Sequence, residues 1–382
     1  MSALHDILNR HVEAGTLPGA VALVARGDDV EAVTVGSVDT DGTAPMTRDS
    51  IFRIASITKP ITAAAVLMLL DDGVLELDSP IAKWLPELAA PVVVRTPSSP
   101  VEDVVPAARP ITVEDLLSSR TGWGFPADFT LPAVQSLFTV QKDGRTLRSW
   151  PEAGAWLGLL ARVPMLHHPG EAWLYGTSSD LQGILIARAA GRSLPDFLAD
   201  RIFEPLGMTD TAFEVPPSKR HRFTTAYSTN PDGTLELFDT PDGEFSSVPA
   251  FHSGGGGLVS TADDWLSFAR LLLRSGITPD GRRLLSPTSV SRMTTNHLTA
   301  AQRDSVQLFL EGQGWGYGGQ VDVTPADPWN VPGRYGWVGG TGTTAHVVPP
   351  TATVSVLLTQ AAMQNPTPTP LMRDFWRYVA GG

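Results

Sequence analysis

The segment Ser56-Ile57-Thr58-Lys59 places a hydroxyl and an amine three residues apart. On a helix that spacing brings both side chains to one face, so the lysine can reach the serine. A serine hydroxyl is a poor nucleophile until a neighbour takes its proton, and a lysine whose burial favours the neutral amine can do so. Ser56 also stands where an apolar helix over residues 57–70 begins, so unpaired N–H groups and the helix dipole favour negative charge there. The four residues alone equally describe an N-capping serine followed by a surface lysine, so the chemistry needs partners elsewhere in the chain.

Two later segments offer them. In His168-Pro169-Gly170-Glu171-Ala172-Trp173-Leu174-Tyr175-Gly176-Thr177, a Pro-Gly turn delivers a short extended stretch ending at Tyr175, just before a new helix. A tyrosine beside a cationic lysine has its phenolate favoured and can act as a general base. Taken alone, Tyr175 could instead anchor the turn. In Tyr335-Gly336-Trp337-Val338-Gly339-Gly340-Thr341-Gly342-Thr343, small residues interrupt a strand pattern, which marks a hairpin or a close approach to the backbone. Acyl transfer needs two donors aimed at the developing oxyanion, and the N–H groups of Ser56 and Gly340 are the candidate pair.

These segments need elements to position them. Alternation and turn signals predict strands over 20–26 and 30–35, and later over 316–321, 335–338, 343–348 and 354–359. Helices are expected at the N-terminus, with Leu4, Ile7, Leu8 and Val12 on one face, and over 57–70, 112–118, 150–162, 178–190, 194–202, 262–274 and 369–379. Thr112 opens its helix with a capping-box pattern, and Thr261 is an N-cap candidate. Strands at both ends of the sequence and helices between them imply an α/β (α+β) architecture. One mixed lobe is built from residues 1–75 and 251–382, and a mostly helical lobe, residues 76–250, is inserted into it. The cleft between two such lobes is the natural place for a site.

Composition narrows the function. The 382 residues carry a net charge of −12, and lysine occurs only at positions 59, 83, 142 and 219. A nucleic-acid partner is therefore not expected. There is no cysteine, which removes disulfides, thiol nucleophiles and thiolate metal sites. No His, Asp or Glu spacing reads as a metal site, and no cofactor is expected. His167 and His168 read as a loop edge, and His252 and His346 as structural. Residues 1–15 lack the continuous apolar core of a signal peptide, and no apolar run has the length of a membrane span, so the sequence points to a cytoplasmic protein with no membrane partner. No G-x-S-x-G is present to anchor a Ser–His–Asp triad.

Together, in this order, the three segments resemble the serine β-lactamase and DD-peptidase superfamily, nearest its class C-like group and the family VIII carboxylesterases. The resemblance extends over Leu17-Pro18-Gly19-Ala20, Phe52-Arg53-Ile54-Ala55 before Ser56, and Ile111-Thr112-Val113-Glu114-Asp115-Leu116-Leu117. It continues through Gly254-Gly255-Gly256-Gly257-Leu258 with Ser260-Thr261, and Gly314-Trp315-Gly316-Tyr317-Gly318. It implies a β-lactamase/DD-peptidase-like fold in which an antiparallel sheet is flanked by helices. It also implies that Ser56 is acylated, that Lys59 and Tyr175 move protons, and that the Gly339-Gly340 backbone supplies an oxyanion donor. Two positions depart from the β-lactamase pattern. Thr177 replaces the asparagine of Y-x-N, and Trp337-Val338-Gly339 replaces K-T-G. The missing lysine would bind the carboxylate of a β-lactam or peptide; a tryptophan offers apolar area instead. W-x-G at this place resembles the esterase branch.

The expected activity is therefore hydrolysis of small carboxylic esters through an acyl-enzyme on Ser56. A β-lactamase, a D-amino-acid peptidase or an acyltransferase would use the same residues, and a non-catalytic binding protein could share the fold. Among the aromatics near the motifs (Trp123, Phe125, Trp173, Trp315 and Trp337), Trp337, Trp123 and Trp173 are the expected substrate contacts, together with Gly339.

Overall fold

The computed structural model describes residues 2–142 and 144–381. Helix α1 (Ala3–Glu13) starts at Ser2, whose hydroxyl accepts the N–H of His5, and it buries Leu4 and Leu8. Strands β1 (Gly19–Arg26) and β2 (Asp29–Gly36) follow as a hairpin. The middle of the chain is largely helical and includes α2 (Lys59–Asp71), α3 (Thr177–Ala190) and α4 (Ala262–Leu273). Strands then return as β3 (Gly314–Trp315), β4 (Gln320–Val321), β5 (Tyr335–Gly339), β6 (Thr343–Val348) and β7 (Thr353–Thr359). Helix α5 (Pro370–Gly381) comes last.

The seven strands form one antiparallel sheet in the order β2-β1-β7-β6-β5-β4-β3. Its centre joins the two ends of the sequence, with Ala20 opposite Thr359 and Arg26 opposite Thr353. Strand β7 is buried along its whole length, as is β1 up to Arg26, so both faces of the sheet are covered. Helix α4 packs on β1, β6 and β7, while α1 and α5 pack together over β2 and β7. The mixed α/β architecture with a helix-flanked antiparallel sheet is the one expected from the sequence.

One expected strand is different. Residues 316–321 do not form a single strand: β3 and β4 are two residues each, joined by a tight turn. Gly318, at φ 77°, lies so close to α2 that a Cβ would come within 2.6 Å of the Lys59 carbonyl oxygen. Gly318 serves close approach to the helix that carries Lys59, and Gly316 and Gly319 close approach to the Met293 carbonyl and the Tyr335 ring, not strand continuity.

Candidate active site

Helix α2 is apolar on every side, and Lys59 through Leu69 are all buried. A helix of that kind must lie inside the molecule, so it holds its first turn rigidly. Ser56 sits in a 3-10 turn, Ala55–Thr58, immediately before it. Ala55 has φ 45°, a left-handed conformation that costs a non-glycine residue about 1–3 kcal/mol. The surroundings hold it there. Arg53 and Ile54 present their carbonyls to the hydroxyls of Thr341 (2.6 Å) and Thr343 (2.9 Å), and the Ile54 N–H bonds to the Leu258 carbonyl. The indole of Trp265 donates to the Ile57 carbonyl at 3.2 Å.

Lys59 is 4% exposed, and its Nζ donates to Ser56 Oγ at 2.9 Å and to the Gly255 carbonyl at 2.6 Å. Its Nζ also lies 4.7 Å from the centroid of the Tyr175 ring. Tyr175 reaches this place through paired backbone bonds with Phe125 and through Gly176, whose φ of 99° turns the chain into α3. Its hydroxyl accepts the indole N–H of Trp337 at 2.8 Å. Its ring stacks on Phe309 at 5.0 Å. No direct hydrogen bond joins the Tyr175 hydroxyl to Ser56; Lys59 stands between them, bonded to one and over the ring of the other.

Ser56, Lys59, Tyr175, Trp337 and Gly340 line one cavity of about 390 Å³. Its remaining wall combines apolar side chains, including Phe125, Trp150, Phe245, Phe309 and Met363, with polar and charged ones, among them Gln141, Lys142, Arg145 and Asn365. A Cβ on Gly340 would meet nothing within 4 Å, whereas one on Gly339 would lie 2.5 Å from the Ile54 carbonyl oxygen. Gly339 thus lets β5 touch the nucleophile segment, and Gly340 faces open space beside it. Neither the Ser56 nor the Gly340 N–H donates to another group among the described residues.

The other expected contacts lie elsewhere. Trp123 is 2% exposed, and its indole donates to the Val163 carbonyl, so it is a core residue. Trp173 is fully buried behind Tyr175, edge-on to Trp315 at 5.1 Å. Neither lines the cavity, because large aromatics default to the interior unless a polar partner draws them out. Trp337 does line it, yet its observed polar contact is with Tyr175 rather than with open space.

Sequence reasoning missed a polar hub beside Lys59. Asp180, 3% exposed on α3, accepts the Ser253 hydroxyl at 2.5 Å, the Gly255 N–H at 3.1 Å and the Gln141 amide at 3.0 Å. Gln141 accepts in turn from Thr177, the residue replacing the asparagine. Burial pushes the Asp180 carboxyl above the usual carboxylate range, opposed by the Ser253 hydrogen bond, the Lys59 charge and the Gly255 N–H. The Gly254–Gly257 run marked a tightly packed loop, but nothing in the sequence tied Asp180 to it. Arg53, also on the wall, is buried against Asp239 at 2.6 Å, and its charge is already engaged. Among the described residues, no group of three or more His, Asp or Glu side chains could hold a metal ion. No helix among them is long and apolar enough to cross a membrane.

A family model described as Beta-lactamase matches residues 4–372. The chain belongs to the Beta-lactamase family. This Beta-lactamase-family chain is 36% identical over 340 residues to Protein Rv1367c of Mycobacterium tuberculosis, covering 87% of this chain and 82% of that one. It is 29% identical over 336 residues to Esterase EstB of Burkholderia gladioli, covering 82% and 78% respectively. Among solved structures it is similar to EstCE1, described as a hydrolase with promiscuous acyltransferase activity. The TM-score is 0.81 at 24% identity, over 99% of this chain and 97% of that one, which speaks to the fold. The family and its serine-hydrolase fold are those the motifs resemble.

Proposed function

We propose that this chain is a carboxylesterase of the family VIII type, cleaving small esters through an acyl-enzyme on Ser56. The observation that carries the reading is the 2.9 Å bond from Lys59 Nζ to Ser56 Oγ at the floor of a largely apolar cavity that Tyr175 also lines. The Lys59/Tyr175 pair takes the Ser56 proton as Oγ attacks the ester carbonyl. The N–H groups of Ser56 and Gly340 receive the oxyanion. Collapse breaks the bond to the alcohol oxygen, which leaves with the proton held by the pair. Water then gives a proton to the same pair and attacks the acyl carbonyl; as the bond to Oγ breaks, the pair returns that proton to Ser56 Oγ and the carboxylic acid leaves. The proton is assigned to the pair and not to one member.

Trp337 supports an ester over a β-lactam. Its indole N–H is spent on the Tyr175 hydroxyl, and the cationic group that would hold a β-lactam carboxylate is absent at that position. The esterase relative supports the same substrate class. An acyl acceptor other than water, such as a second alcohol, is compatible with the apolar wall and uses the same first step.

Ser56→Ala is expected to fold normally and to lose at least ~10⁴-fold in kcat/KM on p-nitrophenyl butyrate. Intact mass after brief exposure to an alkyl phosphonate should show one adduct on the wild type and none on the variant. Wild-type turnover by Ser56→Ala would remove Ser56 as nucleophile.

A further inference from the structure

Lys59 and Asp180 are both buried, yet they form no direct ion pair; the main chain of Gly255 lies between them. Its N–H donates to Asp180 Oδ1 at 3.1 Å, and its carbonyl accepts Lys59 Nζ at 2.6 Å. Ser253 Oγ, itself bonded to Asp180, also accepts the N–H groups of Gly255 (3.2 Å) and Gly256 (3.1 Å). The loop is packed too tightly to adapt: a Cβ on Gly254 would lie 2.4 Å from the Ser179 carbonyl oxygen, and one on Gly255 3.0 Å from Asp180 Oδ1. The second oxygen of Asp180 is tied through Gln141 to Thr177 at the start of α3, two residues after Tyr175. One carboxylate therefore joins the loop that catches Lys59 to the helix that begins beside Tyr175.

We propose that Asp180 is the positioning residue of the proton-moving pair: held as a carboxylate by three hydrogen-bond donors, it fixes through Gly255 where the Lys59 amine sits, and its negative charge sets how readily that amine gives up a proton. The inference rests on the Lys59/Tyr175 reading above and assigns Asp180 no contact with substrate. Lys59 faces it from α2 and Tyr175 stands beyond Lys59; Ser253, Gly255 and Gln141 are its neutral partners. Lys142 and Arg145 line the same cavity, and Arg53 on that wall is already paired with Asp239. Buried charges separated by a single residue's backbone interact strongly, because little water screens them.

The test is the pH profile of Asp180→Asn, which keeps the side-chain size and removes the charge. On p-nitrophenyl butyrate, kcat should fall at least ~10-fold with KM within about 3-fold. The limb of the kcat/KM profile governed by the Lys59/Tyr175 pair should move down by about one pH unit, since a cation deprived of a nearby anion deprotonates more easily. Ser253→Ala loosens the same loop but keeps the carboxylate, and its limb should stay in place. An Asp180→Asn profile that does not move, or moves no further than that of Ser253→Ala, reduces Asp180 to a loop anchor and overturns the proposal. Should Asp180→Asn fail to fold, Asp180→Ser removes the same charge with a smaller polar side chain, and its limb should move the same way; an unmoved limb there overturns the proposal equally. The outcome is separable from the nucleophile assignment. An inactive Ser56→Ala with an unshifted Asp180→Asn removes only the role of Asp180, whereas an active Ser56→Ala removes the reading beneath it.

Discussion

Strand β5 has a buried charged cluster near each end, and the two are built differently. Beyond its C-terminal end, Lys59, Ser56 and Asp180 are connected by hydrogen bonds through Gly255, and the group opens into a cavity of about 390 Å³. At its N-terminal end, Arg334 faces Asp322 at 3.5 Å, with His346 across the strand pair. Asp322 is held by Asn330 at 3.0 Å and Gln320 at 3.1 Å. Arg334 lies over the Trp376 ring at 4.9 Å, and its Nη2 has no hydrogen-bond partner among the described residues. The first cluster spreads its charge over neutral backbone and side-chain dipoles beside open space, the arrangement that the proposed proton transfer needs. The second pairs opposite charges directly and contains no nucleophile. Burial of charge alone does not mark chemistry; burial beside a hydroxyl and a cavity does.

Substitutions sharpen that contrast. The largest effect is expected from Asp322→Ala, which leaves Arg334 buried without its anion. Chemical denaturation should show a loss of about 3–5 kcal/mol, while activity per folded molecule stays within about 2-fold. A matched loss of kcat would show that the two clusters are coupled and break the comparison. Next is Trp337→Phe, which keeps the ring but removes the donor to Tyr175. It should leave stability nearly unchanged and lower kcat by ~10–100-fold, read by steady-state kinetics on the same ester.

The smallest effect belongs to His346. Burial, aided by the Arg334 charge, holds its imidazole well below its ordinary value of 6.5, so the folded state keeps it neutral. A depressed histidine means that the unfolded chain binds the extra proton. Stability is therefore full above about pH 6.5 and falls as pH drops below it toward the folded value, with a slope of at most about 1.4 kcal/mol per pH unit. His346→Gln should remove one proton's worth of that slope in denaturation series between about pH 5 and 7. The slope will not vanish, because burial also lowers His167, His252 and His297.

How much of this was legible follows from the range of the interactions. Ser56 and Lys59 are neighbours on one turn, so three-residue spacing sufficed. Tyr175 and the Gly339-Gly340 edge were legible because a Pro-Gly turn and a glycine run interrupt regular patterns at those places. Asp180 was not legible: in sequence it is one more polar residue inside a helix, and its partners Gln141, Ser253 and Gly255 lie 39, 73 and 75 positions away. The tryptophans show the limit of residue type as a guide. Trp123 and Trp337 looked alike as aromatic area, but the single indole N–H decides their place, directed to a core carbonyl in one and to the Tyr175 hydroxyl in the other. The turn between β3 and β4 was misread as strand because glycines that admit close packing, as Gly318 does against α2, look the same in one dimension as glycines within a strand.

The pairing of β1 with β7 has a consequence for how the molecule is born. Ser56 is made long before the strand that seats β1 beside β6, Thr353–Thr359, and the hairpin bearing Gly340 comes only shortly before that strand. A nascent chain that has not reached Gly340 holds Ser56 without the strand edge beside it, and the sheet closes only once Thr353–Thr359 has been made. On the proposed reading, products that stop before Gly340 carry Ser56 without the means to use it.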